Sequence, residues 1–349
     1  MSPAGSQAAS TVPYNPPGDR SRPPLVIRGL VKAHFAAAMV TILLSLIGGF
    51  LFSLLILQRY PFEGIEWLSP GRVRMVHTNM IAFGFLFNGF VGALYWAMPR
   101  ITGRPVLGEK LGWLIFWAWQ LVITGTFFGI LLGEAQAVEW GETPIWIDPV
   151  VVVGALLLMA QFFPCVIRSE SKALYVTAWY VTAGLIWTGL TYIMGNYLPQ
   201  FFVPGASGAA ITGLYIHDLV GLFVTPIGWG LMYYFVPVIL KKPVYSHGLS
   251  LIGFWGLAFF YPLNGVHHFL YSPIPMYAQY GAVISTLAVE VVVTTVIVNF
   301  FATILGRGDM LRSNLPIRWF FTGMVFYFTT CLQCAYQVTL TAQKIIHFT

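Results

Sequence analysis

The feature that most constrains this chain is the length of its apolar runs. Nine stretches are predominantly apolar, at about 34–58, 73–98, 110–133, 147–168, 173–196, 209–240, 249–271, 275–305 and 316–346. Each exceeds the roughly 20 residues that a helix needs to cross the hydrocarbon of a bilayer. No water reaches the backbone there, so a spanning segment must satisfy its own N–H and C=O groups, and a helix does so. The sequence therefore predicts an all-α, polytopic transmembrane helix bundle. Composition closes the other routes. Of the 349 residues 57% are hydrophobic and only 9% charged, against about 25% charged in a soluble domain. Disorder needs low hydrophobicity and high charge, and three cysteines do not make a disulfide scaffold.

Residues 1–27 are rich in Pro, Ser, Gly and Arg and have no apolar period, which predicts a disordered tail. Residues 28–349 then form one membrane domain. The first apolar run is too long for the core of a secretory signal. The loops on the tail's side carry Arg20, Arg22, Arg28, Lys32, Arg100, Arg104, Lys110, Arg168, Lys172, Lys241, Lys242, Arg307, Arg312 and Arg318, which is 14 of the 18 Lys and Arg. The opposite side holds Glu63, Glu66, Glu134, Glu139, Glu142 and Asp148. This bias predicts a cytoplasmic N-terminus. The net charge of +6 thus reflects membrane topology, and no nucleic-acid partner is expected.

Of seven histidines, His34 and His247 sit at cytoplasmic span ends, where an interfacial role is expected, and His347 lies at the outer end of the ninth run. His77, His217, His267 and His268 fall at a similar depth in the outer half of their spans. A histidine inside a membrane is costly, and normally faces the bundle interior and marks function. Four separate histidines, each bound to a backbone carbonyl, is the plainer alternative; four at one depth, two of them adjacent, favour a shared site. Imidazole suits Zn, Cu, Fe and Ni. Neighbours on a regular helix point about 100° apart, so His267 and His268 reach one metal only if the helix is distorted, and Pro262 and Gly265 supply a cause. Tyr261 is within two turns of His267 and could donate an electron and a proton. Asp218, beside His217, and Glu290, deep in the eighth run, are carboxylates at membrane depth. Cys331 and Cys334 are read as packing residues.

These residues resemble the catalytic subunit of the haem–copper oxidases, in particular the cbb₃-type cytochrome c oxidases. Gly71–Thr78 is similar to the motif around the low-spin haem ligand. The resemblance implies His77 as an axial ligand of low-spin haem b and Arg74 as a partner of its propionates. Residues 133–140 resemble a loop that supplies a calcium ligand, which implies Glu134. The segment Tyr215–Asp218 and the segment Tyr261–His268 resemble the sixth and seventh spans. The resemblance implies His217, His267 and His268 as copper ligands and Tyr261 as the redox tyrosine, covalently joined to His217. It further implies Thr225 and Tyr327 on a proton path from the cytoplasm. Membrane-anchored cytochrome c subunits would deliver electrons, dioxygen would be the substrate, and the protein would lie among the lipids of a bacterial inner (cytoplasmic) membrane.

The family fold has twelve spans, and its tenth carries a Gly-His-x-His stretch that ligates the high-spin haem b₃ and completes the low-spin site. Residues 344–349 resemble the segment just upstream of it, so the expectation is a subunit incomplete at the C-terminus, without the haem b₃ ligand; His347 is no substitute. Three further readings stay open. One is a nitric oxide reductase-like subunit, whose iron site needs an added glutamate. Another is a non-redox membrane metal-binding or transport protein. The last is an inactive fragment.

Overall fold

The computed structural model describes residues 25–346. The expected tail over 1–27 falls almost wholly outside these residues, as does His347. The helices, in chain order, are α1 (Arg28–Ile56), α2 (Pro70–Asn79), α3 (Phe87–Thr102), α4 (Glu109–Leu132), α5 (Asp148–Ile167), α6 (Val176–Tyr197), α7 (Gly205–Leu219), α8 (Thr225–Leu240), α9 (His247–Phe260), α10 (Met276–Ile304), α11 (Asp309–Ser313), α12 (Leu315–Gln337) and α13 (Leu340–Ile346). No strand occurs among the described residues. Seven helical rods are long and apolar enough to cross a membrane. The fifth and ninth apolar runs fold as α6 and α12, which are long helices outside that set.

Two of the rods are interrupted. A π-helical stretch, Met80–Leu86, joins α2 to α3, and another, Val220–Val224, joins α7 to α8. Such local widening of a helix recurs at functional sites. The ninth run is not one helix, as the sequence suggested. It breaks after Gln337 because the Thr339 hydroxyl accepts from the Ala342 N–H at 3.3 Å and so caps a new helix, α13. At the basic end, α8 and α10 cap each other: Arg307 donates to the Leu240 carbonyl, and Lys242 to the Leu305 carbonyl at 2.6 Å. Those are orphan carbonyls of helix C-termini, where cations are favoured.

The core forms in two parts that share α6 and α8. One lies among α1 to α8, the other among α6, α8, α9, α10 and α12. Helix α1 presents a single stripe inward, Leu30, His34, Ala38, Thr41, Ser45 and Gly48. Its opposite face, including Phe35, Met39, Leu43, Ile47 and Phe50, is exposed, as suits a helix bathed in lipid.

His34 corrects a sequence expectation. It is fully buried rather than interfacial, because α1 begins at Arg28, well before it. Asn88 Nδ2 donates to the Gly84 carbonyl at 2.7 Å, which leaves Asn88 Oδ1 to accept from His34 Nδ1 at 2.9 Å and from Gln120 Nε2 at 3.0 Å. One amide therefore ties α1, the second rod and α4 together, the usual use of a polar side chain between membrane helices. Asn88→Ala strands the buried Nδ1 donor of His34, while Gln120 keeps its bond to the Phe116 carbonyl, and an unsatisfied buried group costs about 1–3 kcal/mol. The expected outcome is a lower thermal unfolding midpoint for the purified variant, with α-helical circular dichroism retained before melting.

Candidate functional site

The fifth rod, α7 with α8, brings His217 to the site near the C-terminus of α7, immediately before the π-helical stretch. His267 and His268 arrive from the chain beyond α9. That helix ends at Phe260, and two 3₁₀ turns follow, Tyr261–Leu263 and Gly265–Phe269. Pro262 has no N–H to continue the helical ladder, and the expected distortion is therefore present. The His267 and His268 rings lie 4.6 Å apart between centroids, and both face His217, at 4.6 and 5.5 Å.

Three glycines make this approach possible. A Cβ at Gly221 would overlap the Tyr261 ring, and one at Gly213 would overlap the Phe269 ring. A Cβ at Gly265 would stand 2.6 Å from the Leu214 backbone. The segment that carries Tyr261, His267 and His268 thus lies in a groove of α7 that only absent side chains create.

The three imidazoles converge. One ring nitrogen from each of His217, His267 and His268 lies within 4.8 Å of the others. Nδ1 of His217 is 3.3 Å from Nε2 of His268. Two imidazole ligands held about 2.0–2.1 Å from one ion at a tetrahedral angle stand about 3.4 Å apart, so this pair already has the spacing of ligands to a shared ion. His217 is buried, His267 half-buried and His268 open, which leaves the cluster accessible on one side. Tyr261 stacks on His217, ring centroids 4.3 Å apart and planes 19° from parallel. Nε2 of His217 is buried and has no hydrogen-bond partner. A neutral, nitrogen-only donor set with an open face fits a borderline-soft metal such as copper.

His77 stands apart from this cluster, on α2 against α1. Its Nδ1 is 2.7 Å from the Ser45 carbonyl, and the Ser45 hydroxyl donates to the His77 carbonyl at 2.9 Å. A carbonyl only accepts, so Nδ1 carries a hydrogen, and in the neutral ring it is Nε2 that offers the lone pair an axial ligand needs. A Cβ on Gly49 would stand 2.7 Å from the His77 ring. Neither Ser45 nor Gly49 was selected by sequence reasoning, although a Gly48–Gly49 pair in a lipid-facing helix is a legible sign of a close approach.

Arg74 reaches Glu139 at 3.3 Å, and Arg72 binds Glu66 at 2.9 Å and the Leu131 carbonyl at 2.9 Å. Glu134 accepts from the Trp146 indole at 2.9 Å. Among the described residues no acidic group joins it in a metal-binding cluster. The buried acid of this loop is Glu142, which sequence reasoning passed over. Its carboxylate accepts from Asn79 Nδ2 at 2.8 Å. Burial pushes the Glu142 carboxyl above the usual carboxylate range, and the Asn79 hydrogen bond and the nearby Arg74 charge offset this only in part.

The remaining candidates lie along the rods. Thr225 donates its hydroxyl to the Val220 carbonyl at 3.2 Å. Tyr327, on α12, sits edge-on to Trp229 with centroids 6.0 Å apart. Glu290 is half-buried on α10, within electrostatic reach of Tyr327, Cys331 and Cys334. Both of these cysteines are free thiols. Asp218 is buried, and its Oδ1 has no hydrogen-bond partner.

The family described as cytochrome c and quinol oxidase polypeptide I matches residues 30–349. Cytochrome c oxidase subunit 1 of Rhodobacter capsulatus is 27% identical over 317 residues, covering 86% of this chain and 60% of that protein. The Cbb3-type cytochrome c oxidase subunit CcoN1 of Stutzerimonas stutzeri is 28% identical over 299 residues, covering 83% and 63%. A nitric oxide reductase subunit from Stutzerimonas stutzeri is 31% identical over 106 residues, covering 30% and 21%. The chain therefore spans about 60% of the length of the oxidase subunits it matches.

Glu142 generates a pH prediction. Its folded pKa is raised, so the folded state holds the proton more tightly than the unfolded chain. The resulting stabilisation is full below the unfolded value of about 4.3 and is lost as pH rises through the folded value. Glu142→Gln keeps an acceptor for Asn79 without the charge. Its melting temperature is expected to lose that decline with pH, gaining on the wild type towards neutral pH and converging with it in acid.

Proposed function

The chain belongs to the cytochrome c and quinol oxidase polypeptide I family, and from that premise we propose that it forms the catalytic core of a cbb₃-type respiratory oxidase reducing dioxygen to water with electrons from cytochrome c. The observation that carries this reading is the convergence of His217, His267 and His268 with Tyr261 stacked on the first of them. These three histidines would hold copper through ring nitrogens, and copper held there would supply redox chemistry for dioxygen reduction. Tyr261 supplies a further electron and a proton from its phenol, and its stacking on His217 keeps the ring in electronic contact with the site. The unpartnered Nε2 of His217 is the atom available for the covalent link to Tyr261 that the family resemblance implies.

His77 is assigned as an axial ligand of low-spin haem b, oriented by the Ser45 carbonyl. Arg74, free to exchange its half-exposed partner Glu139, binds the propionates through charge-assisted hydrogen bonds. Glu134 is assigned to calcium, which its second carboxylate oxygen can bind while Oε2 accepts from the Trp146 indole. Thr225 and Tyr327 relay protons towards Tyr261 from the basic, cytoplasmic end of the bundle. On this reading residues 28–349 are a single domain of a multi-pass protein in the bacterial inner membrane. Its N-terminus is cytoplasmic, and it works with membrane-anchored cytochrome c subunits.

A nitric oxide reductase-like subunit is the second reading, favoured by the relative of that name. Its iron site needs a carboxylate ligand, and no carboxylate oxygen joins the three imidazoles among the described residues. Metal analysis separates the two: copper in the purified complex supports the oxidase, and non-haem iron without copper overturns it. Oxygen uptake with reduced cytochrome c is expected to fall at least roughly 100-fold in Tyr261→Phe, on the scale of a lost proton donor. A variant that turns over at the wild-type rate ends the role given to Tyr261.

A further inference from the structure

The side chain that orients His267 comes from the next helix, α10. Nδ1 of His267 lies 2.8 Å from Oγ1 of Thr286, and that hydroxyl lies 2.6 Å from the Ala282 carbonyl. A threonine hydroxyl has one hydrogen to give. The Ala282 carbonyl can only accept, so the hydrogen is committed to it. Thr286 then meets His267 with a lone pair, and His267 must present an N–H at Nδ1. In the neutral ring Nε2 is then the unprotonated atom, the form a metal requires. Thr286 is itself buried, so no water competes for this contact.

Two neighbours on α10 hold the same segment. Ser285 donates to the Phe260 carbonyl at 2.7 Å, a carbonyl released where α9 gives way to the 3₁₀ turn at Tyr261. Gln279, fully buried, accepts from the Tyr271 N–H at 2.6 Å and donates to the Ile274 carbonyl at 2.6 Å. Helix α10 thus grips the 260–274 segment at its entrance, at its metal-facing histidine and at its exit.

We propose that Thr286 is a positioning residue that fixes the tautomer of His267 and thereby selects Nε2 as its metal-binding atom. The metal half of this inference rests on the copper site proposed above; the tautomer half does not. The test therefore uses the purified chain in nanodiscs with two readouts. In the metal-free, ¹⁵N-histidine-labelled protein, long-range ¹H–¹⁵N correlations assigned through His267→Gln are expected to give His267 protonated at Nδ1. In Thr286→Val that preference is expected to be lost, and in Thr286→Ser retained. Copper(I) titration with a competing chelator is expected to give roughly tenfold or more weaker binding for Thr286→Val, the usual scale for removing a ligand's outer partner, with Thr286→Ser close to wild type. Thr294→Val serves as the control, because the Thr294 hydroxyl binds only the Glu290 carbonyl of its own helix. A wild-type His267 protonated at Nε2, or a Thr286→Val chain that keeps both the tautomer and the copper affinity, overturns the proposal. If the tautomer responds as stated but the wild type takes up no copper, the positioning role stands and the copper reading is what fails.

Discussion

The histidine cluster depends on how closely α7 lets another stretch of backbone approach. Side chains at Gly213 and Gly221 would occupy the space taken by Phe269 and Tyr261, and a side chain at Gly265 would meet the backbone of Leu214. Without that groove the 3₁₀ segment would ride outward by the width of a side chain. His267 and His268 would then lose His217, and Tyr261 would lose its stacking partner. Apolar burial contributes little specificity here, because lipid tails are as apolar as leucine. Close van der Waals contact across small residues, with hydrogen bonds that have no water to replace them, decides which helices meet and in what register.

The same scarcity of water divides the polar residues of the bundle into two kinds. Asn88 is engaged by the Gly84 carbonyl, His34 and Gln120, and this set fastens helices even though Nε2 of His34 is left bare. The site residues are incompletely used: His217 has a bare Nε2, Asp218 a bare oxygen, and three imidazole nitrogens face one another with no acidic partner among the described residues. A buried group left unsatisfied is expensive, and the three facing imidazole nitrogens are the ones a metal bound there would satisfy. Outer partners then set how each ring is presented, Ser45 for His77 and Thr286 for His267.

Family membership and geometry carry different parts of the functional argument. The matched relatives include oxidase subunits and, over a shorter stretch, a nitric oxide reductase subunit, so likeness alone leaves the chemistry of the metal open. The donor set narrows it, since three nitrogens with a stacked phenol differ from three nitrogens with a carboxylate.

Much was legible in the sequence, and the reason is physical. Runs of apolar residues long enough to span a bilayer have one backbone solution, so the helical rods over 110–133, 147–168 and 275–305 recur in the structure within a few residues. Histidines at membrane depth are costly enough to be conspicuous, and Pro262 announced the break that turns His267 and His268 to one site. What the sequence could not determine is which groups meet across helices. His34 looked interfacial until α3 and α4 closed over it. Glu142 looked like one loop acid among several until Asn79 met it in the interior. Ser45, Thr286 and the cradle glycines carry no signature of their own, since a serine, threonine or glycine in a membrane helix is ordinary. Hydropathy is a property of one segment and survives being read alone. A hydrogen-bond partner or a missing Cβ has meaning only against the neighbour it faces, and the packing of the bundle chooses that neighbour.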